Sequence, residues 1–210
     1  MHLYVRSKKA CFLLYLLQDE YSLYIWSSQG IIVVDMQKLA SEFIGLQIVS
    51  VQNADNLGNV TGLIIKSDDL KIILCTVTVI GSREKHYLLP RDIRHFNNQK
   101  VLVDSLQNIS EFTDLVRYQH DIANNYELIS KRVVSVNGKN IGKVINFIFD
   151  PDNFYITKLN VKPGILKNLL VTNLLIDRAS IVETQKNVIL IKDNFAKVKK
   201  TASVALPQRS

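Results

Sequence analysis

The sequence has little cysteine: Cys11 and Cys75 are the only two in 210 residues, and they stand far apart in unlike contexts. That excludes a disulfide framework and a thiolate metal site, and the chain reads as a cytoplasmic protein. Long apolar runs are also missing. No stretch approaches the roughly 18 uninterrupted apolar residues of a membrane helix, so membrane insertion is not expected. Arg6, Lys8 and Lys9 before ACFLLYLL imitate a signal peptide, but Gln18, Asp19 and Glu20 cut the run and no small-residue cleavage site follows. There is no Walker loop, no GxGxxG and no nucleophile elbow. His86, His95 and His120 are not spaced four apart and lack Cys or Glu partners at ligand spacing, so they read as loop or surface histidines. No cofactor, metal or catalytic residue is implied, and the chain is expected not to be an enzyme.

What is present is ordinary globular material, 47% hydrophobic and 21% charged. The net charge of +7 is unevenly placed. Residues 194–210 hold Lys197, Lys199, Lys200 and Arg209 with no acid, which reads as a disordered basic tail. Residues 1–35 balance, and they have no counterpart further along the chain. Two readings stand for them: an added helix covering apolar surface, or an upstream segment before a true start at Met36.

The dominant signal is internal repetition. FIGLQIVSVQNADNLGNVTGLIIKSDDLKIILCTVTV, from Phe43, lies over LISKRVVSVNGKNIGKVINFIFDPDNFYITKLNV, from Leu128. Val49-Ser50-Val51 matches Val134-Ser135-Val136, Leu57-Gly58 matches Ile141-Gly142, and Val60, Ile64, Asp68, Ile72 and Val77 fall on Val144, Ile148, Asp152, Ile156 and Val161. β-Branched runs predict strands at Ile48–Val51, Val60–Ile65 and Ile72–Ile80, and at Val133–Val136, Val144–Phe149 and Tyr155–Lys162. Asn137-Gly138 is a hairpin signal because both residues tolerate positive φ. Ser67-Asp68-Asp69 and Asp150-Pro151-Asp152-Asn153 are turns, since Asx side chains bond their own backbone and Pro presets φ. Closing strands are predicted at Lys100–Val103 and Asn187–Lys192. Between the copies, Ser110 is a cap candidate for a linking helix that ends at Asn124-Asn125.

The order of these features resembles the PRC-barrel domain, through Leu57-Gly58-Asn59-Val60, Leu89-Pro90-Arg91-Asp92-Ile93, and Ile141-Gly142-Lys143-Val144 with Asp150-Pro151. The second copy departs at LLVTNLLIDRAS. The fold implied is mainly β: two small PRC-barrel-like antiparallel β-barrels in tandem joined by a short helix. The divisions are an extension at 1–35, repeat one at 36–104, a helical linker at 105–126, repeat two at 127–193 and the tail. The resemblance implies binding and assembly. The reaction-centre subunit of this family carries a membrane helix and the ribosome maturation factor carries a different N-terminal barrel, which leaves the stand-alone bacterial and archaeal class.

The resulting expectation is an adaptor or assembly module for a protein partner, with a second copy of the chain as one candidate. Ile73, Cys75, Val77 and Val79 alternate onto one face of their strand, and Ile72 and Leu74 onto the other. Both faces therefore need cover. Ile72 and Leu74 are the apolar contact candidates, to be covered by the other copy, the linking helix or a second chain. Lys158 and Lys162 share a face with Asn160, with Lys143 or Lys167 nearby, and form the charged candidate. They support the alternative of an RNA-associated factor, although the interleaved aromatics usual for single strands are few. Asp68-Asp69 and Asp150-Asp152 are assigned to their turns, and Cys75 to a buried small hydrophobe. Val49, Val60, Ile64 and Val77, with Val134, Val144, Ile148 and Val161, form the expected core.

Overall fold

The computed structural model describes residues 37–164 and 173–193, and of residues 1–36 the backbone of four short strands. These pair as two hairpins, β1 (Val5–Ser7) with β2 (Ala10–Phe12) and β3 (Ser22–Ser27) with β4 (Gly30–Asp35), so the described part of this segment is strand rather than the helix that one reading offered. The start at Met36, the loop lysine Lys167 and the tail 194–210 lie outside the described residues.

Two sheets follow. β5 (Lys38–Leu39) and α1 (Ala40–Phe43) lead into β6 (Gln47–Ser50), β7 (Asn56–Lys66), β8 (Lys71–Val79), β9 (His86–Leu88), β10 (Ile93–Phe96), β11 (Lys100–Val103) and β12 (Ile109–Ser110). These seven strands, from β6 on, run in the order β10-β11-β6-β7-β8-β9-β12. After α2 (Gln119–Asn124) come β13 (Arg132–Ser135), β14 (Asn140–Phe149), β15 (Ile156–Pro163), β16 (Leu174–Asp177), β17 (Ile181–Thr184) and β18 (Val188–Ile191), in the order β16-β15-β14-β13-β18-β17. The two paths are alike strand for strand, apart from β12.

Neither path closes on itself among the described residues, and neither is purely antiparallel. β11 runs parallel to β6, and β18 to β13. The cause is the crossing after β9 and β16, where Pro90–Asp92 and Arg178–Ser180 make single 3-10 turns. The chain crosses to the far side of the sheet there, and the hairpin that follows brings its last strand back alongside the first. The antiparallel-barrel expectation is corrected to two open, mixed sheets.

Local geometry repeats as well. Gly58 stands between Ile48 and Val79, and Gly142 between Val133 and Pro163. A Cβ there would meet Thr78 O at 1.7 Å or Lys162 O at 2.1 Å, so the close approach of three strands demands glycine. In the β13–β14 turn only Gly138 takes positive φ, at +80°, so Asn137 does not share the left-handed role expected of the pair. The linking segment is mostly 3-10 turns before α2. Ser110 lies in β12 paired with Tyr87 and caps nothing, while Ser105 accepts from Gln107 N and Asn125 ends α2 in the left-handed region.

The core confirms Val60, Val77, Val144 and Val161, each at most 1% exposed. It corrects β6 and β13: Ile48 and Val133 are fully buried, whereas Val49 and Val134 are only half-buried. Ser50 shares the inward face with Ile48, because its hydroxyl donates to Asp104 O at 3.1 Å. A satisfied hydroxyl can sit where alternation alone expects a hydrophobe. Ile64 is buried, but its counterpart Ile148 is half-exposed.

The two sheets meet along a reciprocal seam. Ile72 N donates to Phe154 O and Ile156 N donates to Leu70 O, both at 2.9 Å, around a bridge between Lys71 and Tyr155. Leu70 and Phe154 occupy matching places with matching positive φ, +49° and +60°. α1 packs on β14 and α2 on β7, so the segment entering each sheet rests on the other. Phe43, Phe96, Phe149 and Phe154 close the seam, with Phe43 edge-on to Phe96 at 4.8 Å and to Phe149 at 5.6 Å. Edge-to-face pairs add about 0.5–1.5 kcal/mol each beyond their burial. One apolar cluster runs through both sheets.

Candidate docking face on the second sheet

The sequence candidates separate once burial is known. Ile72 and Leu74 are both fully buried within the chain, so neither is available as a contact for a second chain. The cause is a bulge. β7 pairs Ile64 with Leu74 but Ile65 with Ile72, so Ile73 is the extra residue and the parity of β8 flips there. Ile72 therefore faces the shared core, while Leu74 remains on the outer face. There it packs with Ile64, Tyr87 and Leu89 beneath Leu115, flanked by Tyr118 and Ile122. The expected cover for both faces of β8 exists, and the linker supplies the outer part.

The second sheet treats the corresponding face differently. Its β15 carries the same bulge, at Thr157, which leaves Lys158, Asn160 and Lys162 on one outer face. Lys143 on β14 stands directly opposite Lys162, and Arg132 on β13 stands directly opposite Lys143. Directly paired residues share a face with Cβ atoms about 5 Å apart, and like charges there are unfavourable. All three are exposed, so a cationic row crosses three strands. The first sheet holds Gln47, Asn59 and Thr78 at the matching places. Lys158 is half-exposed opposite Asp177. Between the row and Lys158, Asn160 pairs with Asn146 and Leu175, and its Oδ1 is buried with no hydrogen-bond partner among the described residues. Ile145, 40% exposed, adds an apolar patch.

Lys143, Lys158 and Lys162 are therefore brought together as expected, and Arg132 is the member missed. Alternation hid it: with Val134 expected inward, Arg132 falls on the same inward parity, and only the observed burial of Val133 turns Arg132 outward. Lys131, its neighbour, does not join the face. It is buried, with its ammonium 4.0 Å from the Tyr126 ring and donating to Gln185 O, and burial pushes its pKa down while Glu127 pulls it up.

The remaining polar candidates are occupied by structure. Asp68 Oδ1 accepts from Ser67 Oγ at 3.0 Å and Asp150 Oδ1 from Asp152 N at 2.9 Å, as their turns require, while one Asp69 oxygen is buried with no partner among the described residues. His86 contacts Glu84 O and His120 contacts Asn124. Among the described residues no cluster of three metal-ligating side chains forms, and no helix is long and apolar enough to cross a membrane. Burial pushes the Cys75 thiol up to about 12, so it holds no thiolate near neutral pH. A cleft of about 460 Å³ lies where the linker crosses the first sheet, walled by Leu89, Leu115 and Tyr118 with Arg91, Arg117 and Asp114 at its polar side.

Comparison with known families falls on the sheet that carries the basic face. Residues 120–197 match the PRC-barrel domain. The match takes in α2 from its second residue and every strand from β13 to β18, so Arg132, Lys143, Lys158 and Lys162 all lie within the matched segment. It covers a little over a third of the chain. No curated protein matches the sequence.

Proposed function

We propose that this chain is a non-enzymatic, cytoplasmic adaptor or assembly module, built from two PRC-barrel-like repeats, that binds a protein partner. The repeat reading is supported by the common strand order, the paired bulges and the matching roles of Gly58 and Gly142. The binding reading rests on one observation: the first sheet's outer face is packed under Leu115, Tyr118 and Ile122, while the second sheet's presents an exposed row of cations. Residues that raise the cost of folding without compensation inside the chain are the ones to assign to contacts outside it.

The same row favours a second reading, an RNA-associated factor in ribosome maturation or RNA processing. Both readings use the same cations, so both weaken with salt, and nuclease treatment separates them. Lys158→Glu with Lys162→Glu in the full chain should leave the melting transition in place, since exposed strand charges alter stability by about 0.5 kcal/mol. It should abolish recovery of the partner from nuclease-treated extract. Recovery that persists removes the basic face from the binding site, and recovery that vanishes with nuclease alone selects RNA.

A further inference from the structure

We propose that the outer face of the second sheet receives an acidic, extended segment of a partner protein, which adds a strand to β16 and crosses over Leu175 toward the cationic row. This deepens the adaptor reading and rests on it. The first sheet shows the mode within the same molecule. There β12 adds Ile109 and Ser110 to the edge of β9, opposite Leu88 and Tyr87, and the chain then crosses the outer face to place Leu115 over Leu74. That covering segment carries Glu111, Asp114 and Asp121 against one Arg117, so it is itself acidic. β16 holds the place of β9, and among the described residues no strand pairs with its outer edge. An open edge offers backbone donors and acceptors ready for strand addition.

Charge selects the occupant. Where the first sheet has Gln47, Asn59 and Thr78, the second has Arg132, Lys143 and Lys162, in register and without an acid among them. Lys158, opposite Asp177, replaces Leu74, so a charged pair stands where the first sheet buries a leucine. The chain's own residues 194–210 hold four cations and no acid, so they have the wrong sign to cover this face. An acidic partner segment has the right sign. RNA fits less well, because strand addition needs a peptide backbone and the face carries isoleucine and leucine where stacking needs aromatic rings.

The test places the photo-crosslinking residue p-benzoylphenylalanine at Leu175 of the full chain, with the same residue at exposed Val116 as a second position, and irradiates each in native extract. The expected product at 175 is a protein adduct whose crosslinked peptide carries a net excess of acids. Its yield should fall at least tenfold in Lys143→Glu/Lys162→Glu and be retained in Lys143→Arg/Lys162→Arg. An adduct to nucleic acid, an adduct to a neutral or basic peptide, or a yield indifferent to charge reversal overturns the proposal. Protein captured at 116 but not at 175 overturns this face and leaves the adaptor reading standing. No protein captured at either position overturns both.

Discussion

Glycine shows at the residue scale how the same substitution can have opposite severity. Gly58 has φ +151° and its missing Cβ would lie 1.7 Å from Thr78 O, a backbone atom that cannot move without dragging β8. Gly81, at φ +85°, has nothing within 4 Å of a built Cβ. Gly58→Ala should therefore cost well over 2 kcal/mol, and Gly81→Ala only the left-handed backbone penalty of about 1 kcal/mol. Urea midpoints of the two variants check this, and equal costs would show that strand approach is not what fixes Gly58. Cys75 gives a pH prediction. Its pKa rises from 9.0 to about 12 because the native state buries it. Between those values the unfolded chain has lost the proton that the folded chain retains, so stability is full below about pH 9 and declines as pH rises toward 12, by at most about 1.4 kcal/mol per pH unit. Cys75→Ala should remove that component of the decline, measured as the difference between the two stability curves from pH 8 to pH 11.

Elements explain how much of the fold was legible. The strands, the Asp turns and the placing of Lys143, Lys158 and Lys162 on one face follow from spacing, because hydrophobic period and turn chemistry are local. Bulges are not local. Nothing in KIILCTVTV marks Ile73 as the residue where β8 slips against β7, so simple alternation placed Ile72 outside when it lies in the shared core. The same limit reversed Ile48 and Val49: Ser50 reads as outward until Asp104 O is seen to accept from it. The parallel return of β11 was hidden because the sequence shows where a strand is but not which neighbour it finds. The linker, which reads as a helix that bridges, also acts as a lid on the first sheet, and this can be measured. Leu74→Ala should cost about 2–5 kcal/mol by chemical denaturation, since it opens a cavity under Leu115. A cost near zero would mean the outer face of β8 is solvated and the linker does not cover it.

At the scale of the molecule the two sheets behave as the halves of a dimer joined in one chain. Ile72 bonds Phe154 while Ile156 bonds Leu70, so each side offers the other the same pair of backbone groups, the pattern of a two-fold interface. Each half lacks a closed core by itself: Phe43 and Phe96 from the first sheet meet Phe149 and Phe154 from the second, and the buried cluster does not divide between them. Separate domains with separate cores would unfold in two steps, each with its own midpoint. A shared core predicts one step. Urea unfolding should show a single transition that coincides by circular dichroism and by hydrogen exchange at amides of β8 and β15. Ile72→Ala and Ile156→Ala, on opposite sides of the seam and each fully buried, should lower that one midpoint by similar amounts, corresponding to about 2–5 kcal/mol. If Ile72→Ala instead loosens β8 while β15 keeps its protection, the sheets are independent domains and the seam is a surface contact. The basic face would then have to be held in place by the second sheet alone.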